Sequence, residues 1–126
     1  MSATIRVVDA VAAAPAGASI VVAIEVQNRG ATAWIADTHS RGQVRIGAQL
    51  LDAERRPLDR NYARQPLPHD VPAGATACAA LSCTVPAQPG WYSLKFDLVA
   101  EGVGWFESWG STPGVHRLHV HEKPRP

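Results

Sequence analysis

The sequence has few of the features that would tie it to a membrane, a nucleic acid or a secretory route. No apolar run among its 126 residues approaches the roughly 20 that a transmembrane helix needs. The start, MSATIRVVDA, has one arginine and no long apolar core after it, which argues against a secretory signal. The formal net charge is +1 with charges of both signs scattered, so the basic stripe typical of nucleic-acid binding is missing. We therefore expect no membrane span and no nucleic-acid partner.

Cysteine is scarce: the chain has two, Cys78 and Cys83, and their spacing fits neither a zinc nor a redox motif. Both fall in one predicted strand at odd spacing, so their side chains should point to opposite faces and not bridge each other. We expect both to be reduced and buried, packing as small apolar side chains. This cysteine usage favours a reducing, cytoplasmic location.

Motifs for catalysis and cofactor binding are also missing. The chain has no nucleophile elbow, no phosphate-cradling loop and no dinucleotide fingerprint. His119 and His121 share a strand face and could form half of a metal site, but His116 points the other way and no Cys or carboxylate cluster with ligand spacing lies nearby in sequence. Glu101 and Glu107 could in principle form a glycosidase pair, yet so small a domain has little room for the cleft. We therefore predict no enzyme activity, no metal and no cofactor.

What the sequence does have is a series of short segments in which apolar and polar residues alternate, separated by Gly and Pro. A period of two predicts half-buried strands. The predicted strands are 4–10, 19–28, 43–52, 75–85, 91–100 and 115–122. The proline-rich stretch 64–74 predicts an extended connection that ends in a turn.

These segments predict an all-β fold, since none shows a 3.6-residue period and parallel pairing would require crossover helices. The expected architecture is an immunoglobulin- or fibronectin III-like antiparallel β-sandwich of about seven to eight strands. It should form one domain over 1–122, followed by a charged, proline-rich tail at 123–126.

The segment 91–100 has the clearest alternation. It predicts four inward-facing residues: Tyr92, Leu94, Phe96 and Leu98. It predicts three outward-facing ones: Ser93, Lys95 and Asp97. Tyr92 follows a Pro-Gly turn, a position at which sandwich folds often anchor a corner.

Aromatic residues concentrate in the stretch DLVAEGVGWFESWGSTPG, residues 97–114. We expect Trp105 and Phe106 to close the open end of the sandwich core. Trp109, followed by turn residues, should be partly exposed.

An exposed indole can stack on a sugar ring while nearby carboxylates accept hydrogen bonds from hydroxyls, although it could equally dock another protein. The candidate ligand-binding residues are Trp109, Glu107, Glu101 and Trp105.

Two stretches carry a family resemblance: RIGAQLLDAERRPLDRNYARQPLPHDVPAG and VPAQPGWYSLKFDLVAEGVGWFESWGSTP. They resemble a small β-sandwich module of bacterial proteins for cell-surface polysaccharide biosynthesis, fused there to glycosyltransferases and methyltransferases. In architecture the module is similar to the C-terminal carbohydrate-binding domain of ABC transporters that export O-antigen. The resemblance covers roughly residues 20–121 and is most specific in EGVGWF and GSTP.

The resemblance implies a non-catalytic accessory domain that recognises carbohydrate in polysaccharide biosynthesis or export. The implied partner is a bacterial surface glycan, or else a glycosyltransferase or exporter protein. It assigns no binding residues, because the exporter domains share little of this sequence. The alternative is a structural or protein-docking module without its own ligand, which would show a flat apolar patch or a symmetric homodimer.

Overall fold

The computed structural model describes residues 2–36, 43–101 and 103–123. These residues form nine strands and one short 3₁₀ helix, Phe106–Trp109. The strands are β1 (Ala3–Asp9), β2 (Ala13–Pro15), β3 (Ser19–Asn28), β4 (Val44–Leu51), β5 (Pro57–Pro66), β6 (Thr76–Thr84), β7 (Gly90–Ala100), β8 (Gly104–Trp105) and β9 (Gly114–His121).

The strands form two sheets that enclose one core. One sheet has the order β1-β3-β6, and the other has the order β2-β9-β7-β4-β5, with β8 added beside β7. β1-β3-β6 follows the A-B-E order and β9-β7-β4-β5 follows the G-F-C-C′ order of immunoglobulin-like sandwiches, with β2 added beside β9. The predicted fold class is therefore confirmed.

One strand pair, β2 with β9, is parallel within this otherwise antiparallel sandwich. The pairing of β1 with β3 shifts register between Val7 and Asp9, and the chain then crosses to the other sheet. There β2 pairs with β9 in parallel, with Ala13 opposite His119. No crossover helix is needed, because β2 and β9 lie near opposite ends of the described chain rather than next to each other in sequence.

The core is built from the inward faces that the alternation predicted. β3, β4, β6 and β7 all contribute to it, and its largest fully buried side chains include Phe96, Ile24 and Ile46. Tyr92 is half-buried, and its hydroxyl donates to the Gln88 carbonyl oxygen at 2.8 Å. This is the tyrosine corner that the Pro-Gly turn predicted.

Three expectations need correction or lie outside the described residues. β5 was not predicted, because this edge strand is mostly exposed and so carries no apolar alternation. Cys78 and Cys83 do point to opposite faces of β6, but Cys78 is exposed, so the prediction of two buried thiols was wrong for it. Most of the predicted tail, 124–126, lies outside the described residues.

The outward side of β7 is not the open polar surface that the alternation suggests. Asp97 is 1% exposed and Ser93 is 5% exposed. Asp97 is buried because the aromatic stretch after β7 folds back beside it, which brings β8 into the same sheet and the 3₁₀ helix against β7.

Candidate functional site

The segment 103–112, here called the aromatic segment, is anchored at both ends. β8 pairs antiparallel with the end of β7, Trp105 lying opposite Val99. After the 3₁₀ helix, Gly110 turns the chain with a left-handed φ of 88°. Thr112 then exchanges backbone hydrogen bonds of 3.0 Å with Ala3 and Ile5 of the other sheet. The segment is thus tied to both sheets.

Phe106 closes the end of the core, as predicted. Its side chain is 0% exposed and belongs to the central apolar cluster. Its ring meets Trp34 edge-to-face, with centroids 5.6 Å apart and planes at 78°. Trp34 is itself fixed by two backbone hydrogen bonds, of 2.9 and 3.0 Å, with Val71.

Trp105 does not help close the core, contrary to the prediction. It lies on the outer face of the six-stranded sheet, the side turned away from the other sheet. There its indole packs against Gly47 of β4, and a Cβ atom at residue 47 would lie 2.6 Å from the indole Cη2. The Arg64 guanidinium carbon stands 5.3 Å from the indole centroid, within the range of a cation–π contact. Trp105 is half-buried by these contacts.

Glu101 is joined to Trp105 through the same arginine. Arg64 Nη1 donates to Glu101 Oε1 at 2.7 Å, and Arg45 Nε lies 3.9 Å from that oxygen. Arg64 Nη2 also donates to Asn61 Oδ1 at 2.6 Å. The structure therefore brings two of the four candidate residues, Trp105 and Glu101, into one charged cluster.

Glu107 belongs to a second polar cluster, over the middle of β7. Its carboxylate forms a 2.6 Å ion pair with Lys95. Its backbone N–H donates to Asp97 Oδ2 at 2.8 Å, while Leu98 N–H donates to Oδ1 at 2.8 Å. Burial raises the pKa of Asp97 to about 6, against the lowering effect of these two hydrogen bonds. Asp97 and Lys95 thus hold the 3₁₀ helix against the sheet.

Trp109 ends the 3₁₀ helix and is 43% exposed, as its position before the turn predicted. Its ring packs edge-to-face on Phe106, with centroids 6.3 Å apart. Gly104 lies below it, where a Cβ atom would be 3.3 Å from the indole Cη2. The indole is therefore partly open to solvent and supported on a buried ring.

Sequence reasoning missed a second exposed tryptophan, Trp91, at the start of β7. It is 47% exposed and lies on the outer face opposite His119. The two ring centroids are 4.6 Å apart, and the Arg117 guanidinium carbon is 4.4 Å from the indole centroid. The alternation of 115–122 does place Arg117 and His119 on one face, but only the pairing of β7 with β9 brings Trp91 to them.

The remaining features of the described residues give weaker indications of a function than the aromatic clusters. Across 2–36, 43–101 and 103–123, no group of three His, Cys, Asp or Glu side chains could hold a metal ion. In that same part of the chain, no helix has the length and apolar character that a membrane crossing requires. A depression of about 290 Å³ beside β2 is lined by Pro15, Ala16, Gly17, Ala18 and Lys123, and Lys123 is its one charged side chain.

Comparison with known proteins finds similar folds among solved structures. No protein-family model matches the sequence, and no curated protein matches it either. Among solved structures, the chain is similar to the CARDB domain of a Pyrococcus furiosus protein in complex with di-metal ions. That match has a TM-score of 0.60 and 9% identity, and covers 97% of this chain and 93% of that one.

The chain is also similar to parts of two larger proteins. One is a β-glucosidase from Listeria innocua in complex with gluconolactone, at a TM-score of 0.60 and 14% identity, covering 98% of this chain and 16% of that one. The other is a family 123 glycoside hydrolase from Clostridium perfringens. That match has a TM-score of 0.51 and 12% identity, and covers 90% of this chain and 23% of that one. At these identities the likeness concerns the fold, and this chain is a β-sandwich of that kind.

Proposed function

We propose that this domain is a non-catalytic module that recognises carbohydrate, accessory to the biosynthesis or export of bacterial cell-surface polysaccharide. The observation that carries the proposal is the Trp109 indole. It is 43% exposed, rests on the buried Phe106 ring and lies in the same 3₁₀ helix as Glu107. A rigid aromatic platform beside polar groups provides what a sugar ring requires, an apolar face and hydrogen-bond partners.

The two candidate carboxylates are already positioned, and Glu107 lies in the same 3₁₀ helix as Trp109. Glu107 is held by Lys95, and its side chain remains 43% exposed, so its carboxylate oxygens are accessible to sugar hydroxyls. Glu101 lies in the separate cluster around Trp105, where Arg64 holds it and 34% of its side chain is exposed. Because these side chains are fixed before binding, little conformational entropy is lost when a ligand arrives.

The likeness to parts of carbohydrate-acting enzymes supports an accessory role. The matched region is only 16% of the Listeria innocua β-glucosidase, so sandwiches of this shape occur as portions of larger proteins acting on sugars. Both cysteines are free thiols, which supports the proposed cytoplasmic location.

The alternative function, a docking module that forms a homodimer, rests on a different feature. β5 is an edge strand, mostly exposed along its length, and such an edge can pair with another chain. Sedimentation of the 126-residue chain separates the two functions, because a stable dimer at micromolar concentration would favour docking.

The test of the proposed function is a glycan array probed with the 126-residue chain and its Trp109→Ala variant. We expect binding to a defined set of bacterial glycans that the variant loses. Val21→Ala, which removes a comparably exposed apolar side chain from the other sheet, is the control and should bind normally. Absence of binding to every glycan, or equal binding by Trp109→Ala, would contradict the proposal.

A further inference from the structure

The outer face of the six-stranded sheet carries a second aromatic site, away from the aromatic segment. Trp91 and Val99 are eight residues apart on β7, which corresponds to roughly 26 Å along the strand. Trp105 pairs with Val99, whereas Trp91 pairs with His119. The two ends of this face therefore present separate tryptophans.

The Trp91 site differs from the Trp105 site in its charge balance. Arg64 beside Trp105 is neutralised by Glu101 at 2.7 Å. In the part of the chain that the structure describes, no carboxylate lies within ion-pairing distance of Arg117. The Arg117 guanidinium carbon instead lies 4.4 Å from the centroid of the Trp91 ring. Arg117 thus carries an uncompensated positive charge next to a half-exposed indole.

This combination suits a particular ligand chemistry. A guanidinium whose carbon lies 4.4 Å from a ring centroid still has N–H groups along its edge that can form a bidentate contact with a carboxylate or phosphate. The exposed part of the Trp91 ring offers an apolar surface, and the His119 ring at 4.6 Å adds polar nitrogens. A ligand would contact both the guanidinium and the indole only if it carried an anionic group and a ring.

We infer that Trp91, Arg117 and His119 form a second binding site for an acidic sugar unit, one that carries a carboxylate or phosphate group. This inference rests on the proposed function in taking the ligand to be a glycan. An acidic peptide shares the charge, but the groups that surround Trp91 are Arg117 and His119 rather than the apolar side chains typical of the centre of a protein-docking surface.

The experiment is an NMR titration of the 126-residue chain, following the four tryptophan indole N–H signals. The probes are trigalacturonate, its methyl ester and glucose 6-phosphate. We expect trigalacturonate or glucose 6-phosphate to shift the Trp91 signal and the ester to bind about tenfold or more weakly than the free acid, because esterification removes the charge. Binding of trigalacturonate would identify a carboxylate as the anionic group, and binding of glucose 6-phosphate would identify a phosphate.

Matched variants assign the effect to the site. Arg117→Gln should weaken acid binding about tenfold or more, and Arg117→Lys should restore part of it. Trp91→Ala should weaken it as much, measured through the backbone amide signals of β9 because this variant lacks the Trp91 indole. Arg6→Gln, which removes the same charge from the other sheet, should bind as the parent does. Trp91 and Arg117 are exposed, so circular dichroism should show all variants folded.

The outcomes separate this inference from the proposed function. If neither acid shifts Trp91 while a glycan still binds through Trp109, the inference is wrong and the proposed function stands. If a hexaglutamate peptide binds at Trp91 as tightly as trigalacturonate, the site recognises charge on proteins and the inference is overturned. If the acids bind at Trp91 and Trp109→Ala has no effect on any glycan, the inference stands without the Trp109 platform.

Discussion

The Trp105 indole packs against Gly47 so closely that a Cβ atom at residue 47 would lie 2.6 Å from Cη2 and 2.7 Å from Cζ3. Gly47 lies within β4 in strand pairing with both neighbours, so its backbone does not require glycine. The absence of a side chain matters because the indole occupies the space above it. One residue of β4 therefore determines where the aromatic segment can lie.

Gly47→Ala should displace Trp105 from the outer face. Overpacking of this kind costs about 1–3 kcal/mol, so the urea midpoint should fall and the indole fluorescence should shift. Gly30→Ala is the matched control, because its Cβ atom would meet no described atom closer than 3.5 Å. Equal stability of the two variants would show that Trp105 does not depend on Gly47.

Phe106 and Trp109 should respond very differently to truncation, although both belong to one 3₁₀ helix. Phe106→Ala removes a fully buried ring and should cost about 3–5 kcal/mol. Trp109→Ala removes a residue that is 43% exposed and should cost less, with the lost edge-to-face contact with Phe106 contributing about 0.5–1.5 kcal/mol beyond the apolar area that is uncovered. Urea unfolding of both variants is the measurement, and similar losses would mean that Trp109 is part of the core.

The inward faces of the strands could be predicted from sequence because alternation reports directly on which side is buried. Phe96 and Ile24 are buried for this reason. The Tyr92 corner could be predicted because it depends on a turn only a few residues away. Edge strand β5 could not, because neither of its sides is consistently buried.

The candidate site could be predicted only in part, because its contacts depend on distant pairing. The alternation of β7 predicts that Asp97 faces outward. Nothing in the neighbouring sequence indicates that the chain folds back so that Glu107 N–H donates to the Asp97 carboxylate. Trp105 is as apolar as the buried residues Trp34 and Phe106. It nevertheless lies outside the core, against Gly47 and Arg64. Trp91 meets its polar neighbours, Arg117 and His119, only through the pairing of β7 with β9.

The two thiols should differ in reactivity in the folded protein. Cys78 is exposed, whereas Cys83 is 4% exposed and burial raises the pKa of its thiol. Titration with a thiol-specific chromogenic disulfide should detect one thiol rapidly and the second only after unfolding in denaturant. Cys78→Ser should abolish the rapid phase. Fewer than two thiols in denaturant would indicate oxidation and would argue against the proposed cytoplasmic location.

The stability of the domain should depend on pH through Asp97. Burial raises the pKa of Asp97 from an ordinary 3.8 to about 6. The folded state therefore binds the proton of this carboxyl group more tightly than the unfolded state does. The stabilisation is complete below about pH 3.8 and is lost as the pH rises through about 6. At about 1.4 kcal/mol for each pH unit, the full difference is roughly 3 kcal/mol.

Urea unfolding of the parent and of Asp97→Asn at several pH values between 4 and 7 measures this contribution. The parent should gain stability relative to Asp97→Asn as the pH falls, since the asparagine cannot take up the proton. Asp52→Asn is the control of opposite sign: backbone donation from Arg56 N–H lowers the pKa of Asp52, so its contribution is lost on acidification. If the parent and Asp97→Asn change in parallel over this range, then Asp97 is already ionised in the folded protein at pH 4, and the carboxylate binds Glu107 N–H without the penalty that its burial implies.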